Sequence, residues 1–173
     1  MPSGELLTRW TIRIALVFYV LAVAGEFQSS RGQHRKHLAR WAWTLGCGFY
    51  LAHVAAAFQF FHGWSHAAAY RDTARQTAEV IGLDWGGGLY FNYTFTMLWF
   101  ADVVWWWYAP ESRRMRSAKA TLALHGFFAF MVFNATVVFE AGVLRWLGLA
   151  ALCLLGMLGL VAAHRRKPSR LGR

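Results

Sequence analysis

The sequence predicts an all-α polytopic integral membrane protein: a bundle of five transmembrane helices with one amphipathic helix on its outer surface. Three observations carry this prediction. Hydrophobic residues make up 57% of the 173 positions and charged residues only 15%, with a mean hydropathy of +0.31, too apolar for an ordinary soluble domain. The apolar residues come in blocks long enough to cross a bilayer. The basic residues fall in short runs between those blocks, where topology signals sit.

The spans read as 8–27, 41–61, 87–108, 118–139 and 143–163. Each is about 20 residues, enough to cross about 30 Å at 1.5 Å per residue. Strands of a closed barrel would be half as long and would alternate, so helices are left as the way to satisfy the backbone in lipid. Arg9 and Arg13, an apolar run and Ala22-Val23-Ala24 also resemble a cleavable signal. The basic cluster Arg31, Arg35, Lys36 and Arg40 follows at once and would be left on the translocated side, which argues against cleavage. No internal repeat or second domain is visible, so residues 1–173 read as one membrane domain.

Charge sets the orientation. With the N-terminus outside, the inner segments collect Arg31 to Arg40, Arg113 to Lys119 and the basic tail 164–173. That places thirteen of the 18 Lys and Arg inside, the favoured arrangement, with the C-terminus cytoplasmic in a plasma or bacterial inner membrane. Arg9 and Arg13 then fall at the outer end of the first span and must snorkel or face protein. The formal charge of +10 raises the question of nucleic acid, but this placement reads as topology and the expected partner is the lipid bilayer. Cys47 and Cys153 lie in apolar segments and read as small buried hydrophobes.

The segment 63–86 lies on the outer side and is too long for a turn. Ser65 can cap a helix and Gly82 can stop it. On a helix that includes His62, the residues His62, His66, Thr73, Thr77 and Val80 form one inward stripe, with Arg71, Asp72, Arg75 and Glu79 opposite. A break at Gly63 would free His62 from that geometry. The i, i+4 spacing of His62 and His66 lets two imidazoles meet one divalent metal. Asp84 and Glu140 are candidate further ligands, with Asn92 and Asn134 as weaker oxygen donors. The alternative is two histidines hydrogen-bonded at the interface beside Trp64 and Tyr70.

Ionisable residues at membrane depth are costly and mark sites or helix registers. Asp102 on the third span and His125 on the fourth lie at matching distances from a connection centred near Arg113. A hairpin puts both about 9 Å from the inner surface, so a direct Asp102–His125 pair is expected, either structural or proton-handling. His53 lies mid-span beside Gly48, Ala52 and Ala56, a stripe that permits close helix contact. Haem held by His53 and His125 is disfavoured, because their depths differ by about 9 Å at 1.5 Å per residue.

The leading expectation is a small membrane protein with a polar outer pocket. That pocket would bind a metal ion or small ligand through His62 and His66, aided by Asn92, Asp84 and Asn134. A second is a structural subunit, as a homo-oligomer or in a larger membrane complex. A third is a transporter or proton-relay component using Asp102, His125 and His53. Whether a reaction is catalysed is not legible at this level.

Overall fold

The structure, a computed structural model, describes residues 2–27, 32–138, 145–146, 148–153 and 155–157. Among the described residues up to 138, six α-helices follow in order: α1 (Pro2–Phe27), α2 (Gln33–Ala57), α3 (His66–Ile81), α4 (Gly88–Tyr108), α5 (Pro110–Arg114) and α6 (Ala118–Phe133). Helices α2 and α6 each run on through a π-helical turn, Phe58–His62 and Asn134–Val138. No strand occurs among the described residues.

Among the described residues, three helical stretches are long and apolar enough to cross a membrane: Ser3–Glu26, Gln33–His62 and Ala118–Val138, with mean hydropathies of 1.7, 1.3 and 1.7. Helix α4 has the length, 21 residues, but is not among the three. Asn92, Asp102, three tyrosines and four tryptophans depress its hydropathy, although most of that surface is ring carbon. Residues between 145 and 157 that are described are helical, and Leu155 joins the core. The rest of the expected fifth span, Glu140 and the basic tail lie outside the described residues.

Helices α1 and α2 form the most extensive contact and run antiparallel. Gly25 faces Ala39 near one end, and Gly4 faces Phe60 near the other. Close approach is supplied by glycine. A Cβ at Gly46 would lie 2.9 Å from Trp99 Cζ2 and 3.4 Å from the Ala15 carbonyl oxygen. The expected stripe is displaced from this contact: Gly48 has open space beside it, Ala52 is exposed and only Ala56 is buried. Helices α4 and α6 complete an aromatic core of Tyr19, Trp43, Tyr50, Phe95, Trp99 and Phe128. Successive ring centroids lie 4.5 to 6.3 Å apart, in the range of favourable ring pairing. Trp99 is therefore a packing residue of this core. Buried hydroxyls are satisfied locally: Thr11, Thr77 and Thr136 each donate to the carbonyl four residues back, at 2.7 to 2.8 Å. Cys47 is buried, but Cys153 is exposed, against expectation.

Helix α3 begins and ends where its sequence signals lie. Ser65 Oγ accepts from the Ala68 N–H, and Gly82 closes the helix at φ 74°. The triple glycine explains how it docks. A Cβ on Gly86 would collide with the Tyr70 carbonyl and ring, and one on Gly88 would press within 3.2 Å of Thr73 Cγ2. Arg9 is settled by a salt bridge of 2.7 Å to Glu5, and the Arg13 guanidinium lies over Trp10 at 5.5 Å.

Candidate functional site

A charged cluster lies at the α5 end of the bundle. Pro110 starts α5 immediately after α4, and Ser117 caps α6, so the connection folds back tightly against the helix ends. This brings two arginines over Asp102, which is only 3% exposed. Arg113 donates from Nε and Nη2 to Oδ2 at 3.1 and 2.9 Å. Arg116 donates from Nη1 to Oδ1 at 2.6 Å and from Nε to Thr121 Oγ1 at 3.1 Å. The remaining arm of Arg113 reaches α1, where Nη1 donates to Glu26 Oε1 at 2.8 Å. His125 Nε2 faces the other oxygen, Glu26 Oε2, at 3.6 Å. Two carboxylates meet two guanidiniums, each arginine side chain only 10% exposed.

The cluster holds its charges by mutual compensation. Burial alone would lower the Arg113 pKa, but Glu26 and Asp102 outweigh it and the net shift is upward. Its guanidinium also lies 3.7 Å above the Trp106 ring, a cation–π contact that excludes water from one face.

The direct Asp102–His125 pair expected from the hairpin is not formed. Depth was the wrong criterion: guanidiniums on the connection reach back 11 and 14 residues and occupy both oxygens of Asp102. A forked donor matches a carboxylate better than a single imidazole nitrogen does. His125 turns instead to Glu26 and lies edge-on to Trp43, with centroids 6.2 Å apart. Its Nδ1 has no partner among the described residues. Glu26, Arg113 and Arg116 were missed as site residues. By sequence the two arginines read as topology signals, and Glu26 follows the Ala22-Val23-Ala24 stretch that resembles a cleavage site. One signal was available: a buried acid within one hairpin of an arginine-rich turn.

At the α3 end the expected residues are spread apart. Gly63 and Trp64 both adopt left-handed conformations, φ 54° and 57°, between the π turn and α3. His62 and His66 therefore do not share a helix face. His62 lines a cleft of about 460 Å³ with Phe61, Ala68, Arg71, Asp72 and Arg75. His66 lies with Tyr93, its Nδ1 3.0 Å from the phenol oxygen. Asp84 and Asn92 are exposed, and Asn134 Nδ2 donates to the Phe130 carbonyl of its own helix at 2.8 Å. Among the described residues no group of three His, Cys, Asp or Glu is gathered as a metal site. The face α3 turns inward is Ala69, Ala74 and Thr77, while Val80 is exposed. His53, near the C-terminal end of α2, donates from Nδ1 to the Thr8 carbonyl of α1 at 2.9 Å.

Comparison of the chain with protein-family models, curated proteins and solved structures gave no match.

Proposed function

We propose that this chain is a five-span integral membrane protein, N-terminus outside, that serves as a structural subunit of a membrane assembly. One observation supports this reading: the buried charges at the α5 end are consumed within the chain. Asp102 accepts three hydrogen bonds from two arginines, and Glu26 ties the same cluster to α1. An acid held this way is a clamp on helix register, and its carboxylate is not open to a substrate. Helix α4 counts as a span despite its hydropathy, since its aromatic residues suit a bilayer and its acid is neutralised inside the bundle. The test is the mass of the assembly released from native membranes by mild detergent. A stoichiometric complex or homo-oligomer is expected, and a chain that runs only as a monomer overturns the subunit role.

A second reading is favoured by the cleft beside α3. Its 460 Å³ falls in the range of small-ligand sites. Arg75 is paired with Asp72, which leaves the Arg71 guanidinium facing the cleft's ligand, so that ligand would be a small anion and not a metal ion. Arg71→Gln with His62→Gln should abolish binding of such a ligand without affecting assembly.

A further inference from the structure

The α5 end carries a second polar feature, separate from the Asp102 cluster. A groove of about 140 Å³ lies between the first turns of α2 and the α4–α5 junction, lined by Lys36, His37, Arg40, Trp106, Glu111 and Arg114, among others. Three permanent cations stand against one acid. That acid is already engaged, because Arg114 Nη1 meets Glu111 Oε1 at 2.8 Å. Arg40 is held in place by stacking over Trp107 at 4.0 Å and by donation from Nη2 to His37 Nδ1 at 3.4 Å. Its Nε is buried with no hydrogen-bond partner among the described residues. A buried charged donor left unmatched is costly and calls for an acceptor.

The walls leading away from the groove are apolar and exposed. Leu38, Trp41 and Leu45 follow on α2, and Val104 and Trp107 on α4. Trp41 and Trp107 meet edge to face at 4.9 Å, and Trp107 Nε1 donates to Thr44 Oγ1 at 2.9 Å. Beyond them Gly48 leaves open space on the same helix. A cationic groove opening onto an apolar, tryptophan-edged wall matches one kind of molecule, in which a phosphate and a hydrocarbon chain are joined.

We propose that this groove binds the phosphate of an anionic phospholipid, with an acyl chain lying along Trp41, Leu45 and Trp107. Lys36, Arg40 and Arg114 hold the phosphate. The proposal rests on the membrane reading above. It also fits the orientation that collects basic residues on the cytoplasmic side, where anionic lipids reside. Basic groups between helix ends bind such headgroups through charge, with the chain supplying the apolar contact.

The test uses native mass spectrometry of the full chain in neutral detergent, titrated with phosphatidylglycerol or phosphatidylcholine. Each cation near an anionic headgroup contributes about a five-fold preference. With one of the three offset by Glu111, the first phosphatidylglycerol should bind roughly 30-fold more tightly than the first phosphatidylcholine. Lys36→Gln with Arg114→Gln should bring that ratio to within about two-fold of unity, since Glu111, no longer paired with Arg114, then offsets the surviving Arg40. Arg71→Gln with Arg75→Gln, at the other end of the bundle, should leave it unchanged. Equal affinity for the two lipids overturns the proposal, as does an equal loss in both double variants, which would signal net charge alone. Displacement of the lipid by millimolar inorganic phosphate would show a free-phosphate site and overturn the lipid assignment. Extraction of the chain from membranes by alkaline carbonate would defeat the membrane reading itself. A chain that resists extraction yet shows no lipid preference would defeat this inference only.

Discussion

Replacing Asp102 by Ala should be among the most damaging single changes in the chain. The carboxylate is 3% exposed and receives three donors from two guanidiniums that are each 10% exposed. Three hydrogen bonds to a charged group, at about 1.5–3 kcal/mol each, would sum to more than any one substitution usually costs. They share one acceptor, however, and do not add. Breaking a buried ion pair from one side costs about 3–5 kcal/mol, chiefly because the surviving charges are stranded. Here Glu26 still compensates Arg113, so the middle of that range, about 4 kcal/mol, is expected for Asp102→Ala. For a chain of this size that corresponds to a melting point lower by roughly 10 °C, followed by circular dichroism in detergent. Arg116→Ala should cost less, because Arg113 still holds Oδ2. The Asp102→Ala, Arg116→Ala double variant should fall short of the summed single effects by about 1–3 kcal/mol. A volume-matched exchange, Asp102→Leu with Arg113→Met, Arg116→Met and Glu26→Gln, should recover much of the stability. A loss below about 0.5 kcal/mol for Asp102→Ala, the range of an inconsequential surface change, would refute the clamp. Strict additivity in the cycle would refute it equally.

The other expectations come from separate parts of the molecule. Gly46→Ala should destabilise by about 1–3 kcal/mol, because the new methyl meets Trp99 and the Ala15 carbonyl, whereas Gly48→Ala should stay within about 0.5 kcal/mol of the native protein. Thermal melts of the two variants side by side check this, and equal effects would misplace the α1–α2–α4 contact. In a background with Cys47 and Cys153 changed to Ala, a cysteine at Glu79 should react with an impermeant thiol reagent outside intact cells. One at Ser112 should not; reversed labelling would invert the orientation. Changing His62 and His66 together to Ala should leave the metal content of the purified protein unaltered, since the two rings occupy different surroundings. Loss of one equivalent of metal would show that they converge after all. Gly63→Ala should cost about 1 kcal/mol for placing a side chain at φ 54°, and no change in the melt would mean the turn at Gly63 is not rigid.

Helical character was legible, and so were the ends of α3, because they depend on local signals. Ser65 and Gly82 mark those ends through backbone chemistry that acts within a few residues, whereas α1 and α2 begin several residues before the apolar runs at 8 and 41. Side-chain partnership was far less legible. Counting residues puts Asp102 and His125 at one depth, yet the partner of neither can be chosen by counting. An arginine side chain spans more than a helical turn, and two of them on a short connection capture the acid first. The histidines failed for the opposite reason. Spacing four apart has meaning only on an unbroken helix, and Gly63 with Trp64 at positive φ removes that premise. A glycine at that position was a visible warning, but a tryptophan in the left-handed region was not predictable from its type. Small residues on α2 misled in the same way: Gly48 looked like a contact point, while Gly46, two positions earlier, is the one that Trp99 and Ala15 need.

The link from Glu26 to Arg113 spans 87 residues, and that separation has a consequence for how the protein is made. Ribosomes add about 5–20 residues each second, so the arginine emerges roughly 4 to 17 s after the glutamate. For most of that interval the α1–α2 hairpin is already complete, while Arg113, the partner of its Glu26 carboxylate, has not yet been made. Asp102 waits far less, because its partners trail it by only 11 and 14 residues. Biogenesis thus has an order built into it: the α4–α5 turn closes on itself first, and only then does the older hairpin become fastened to it.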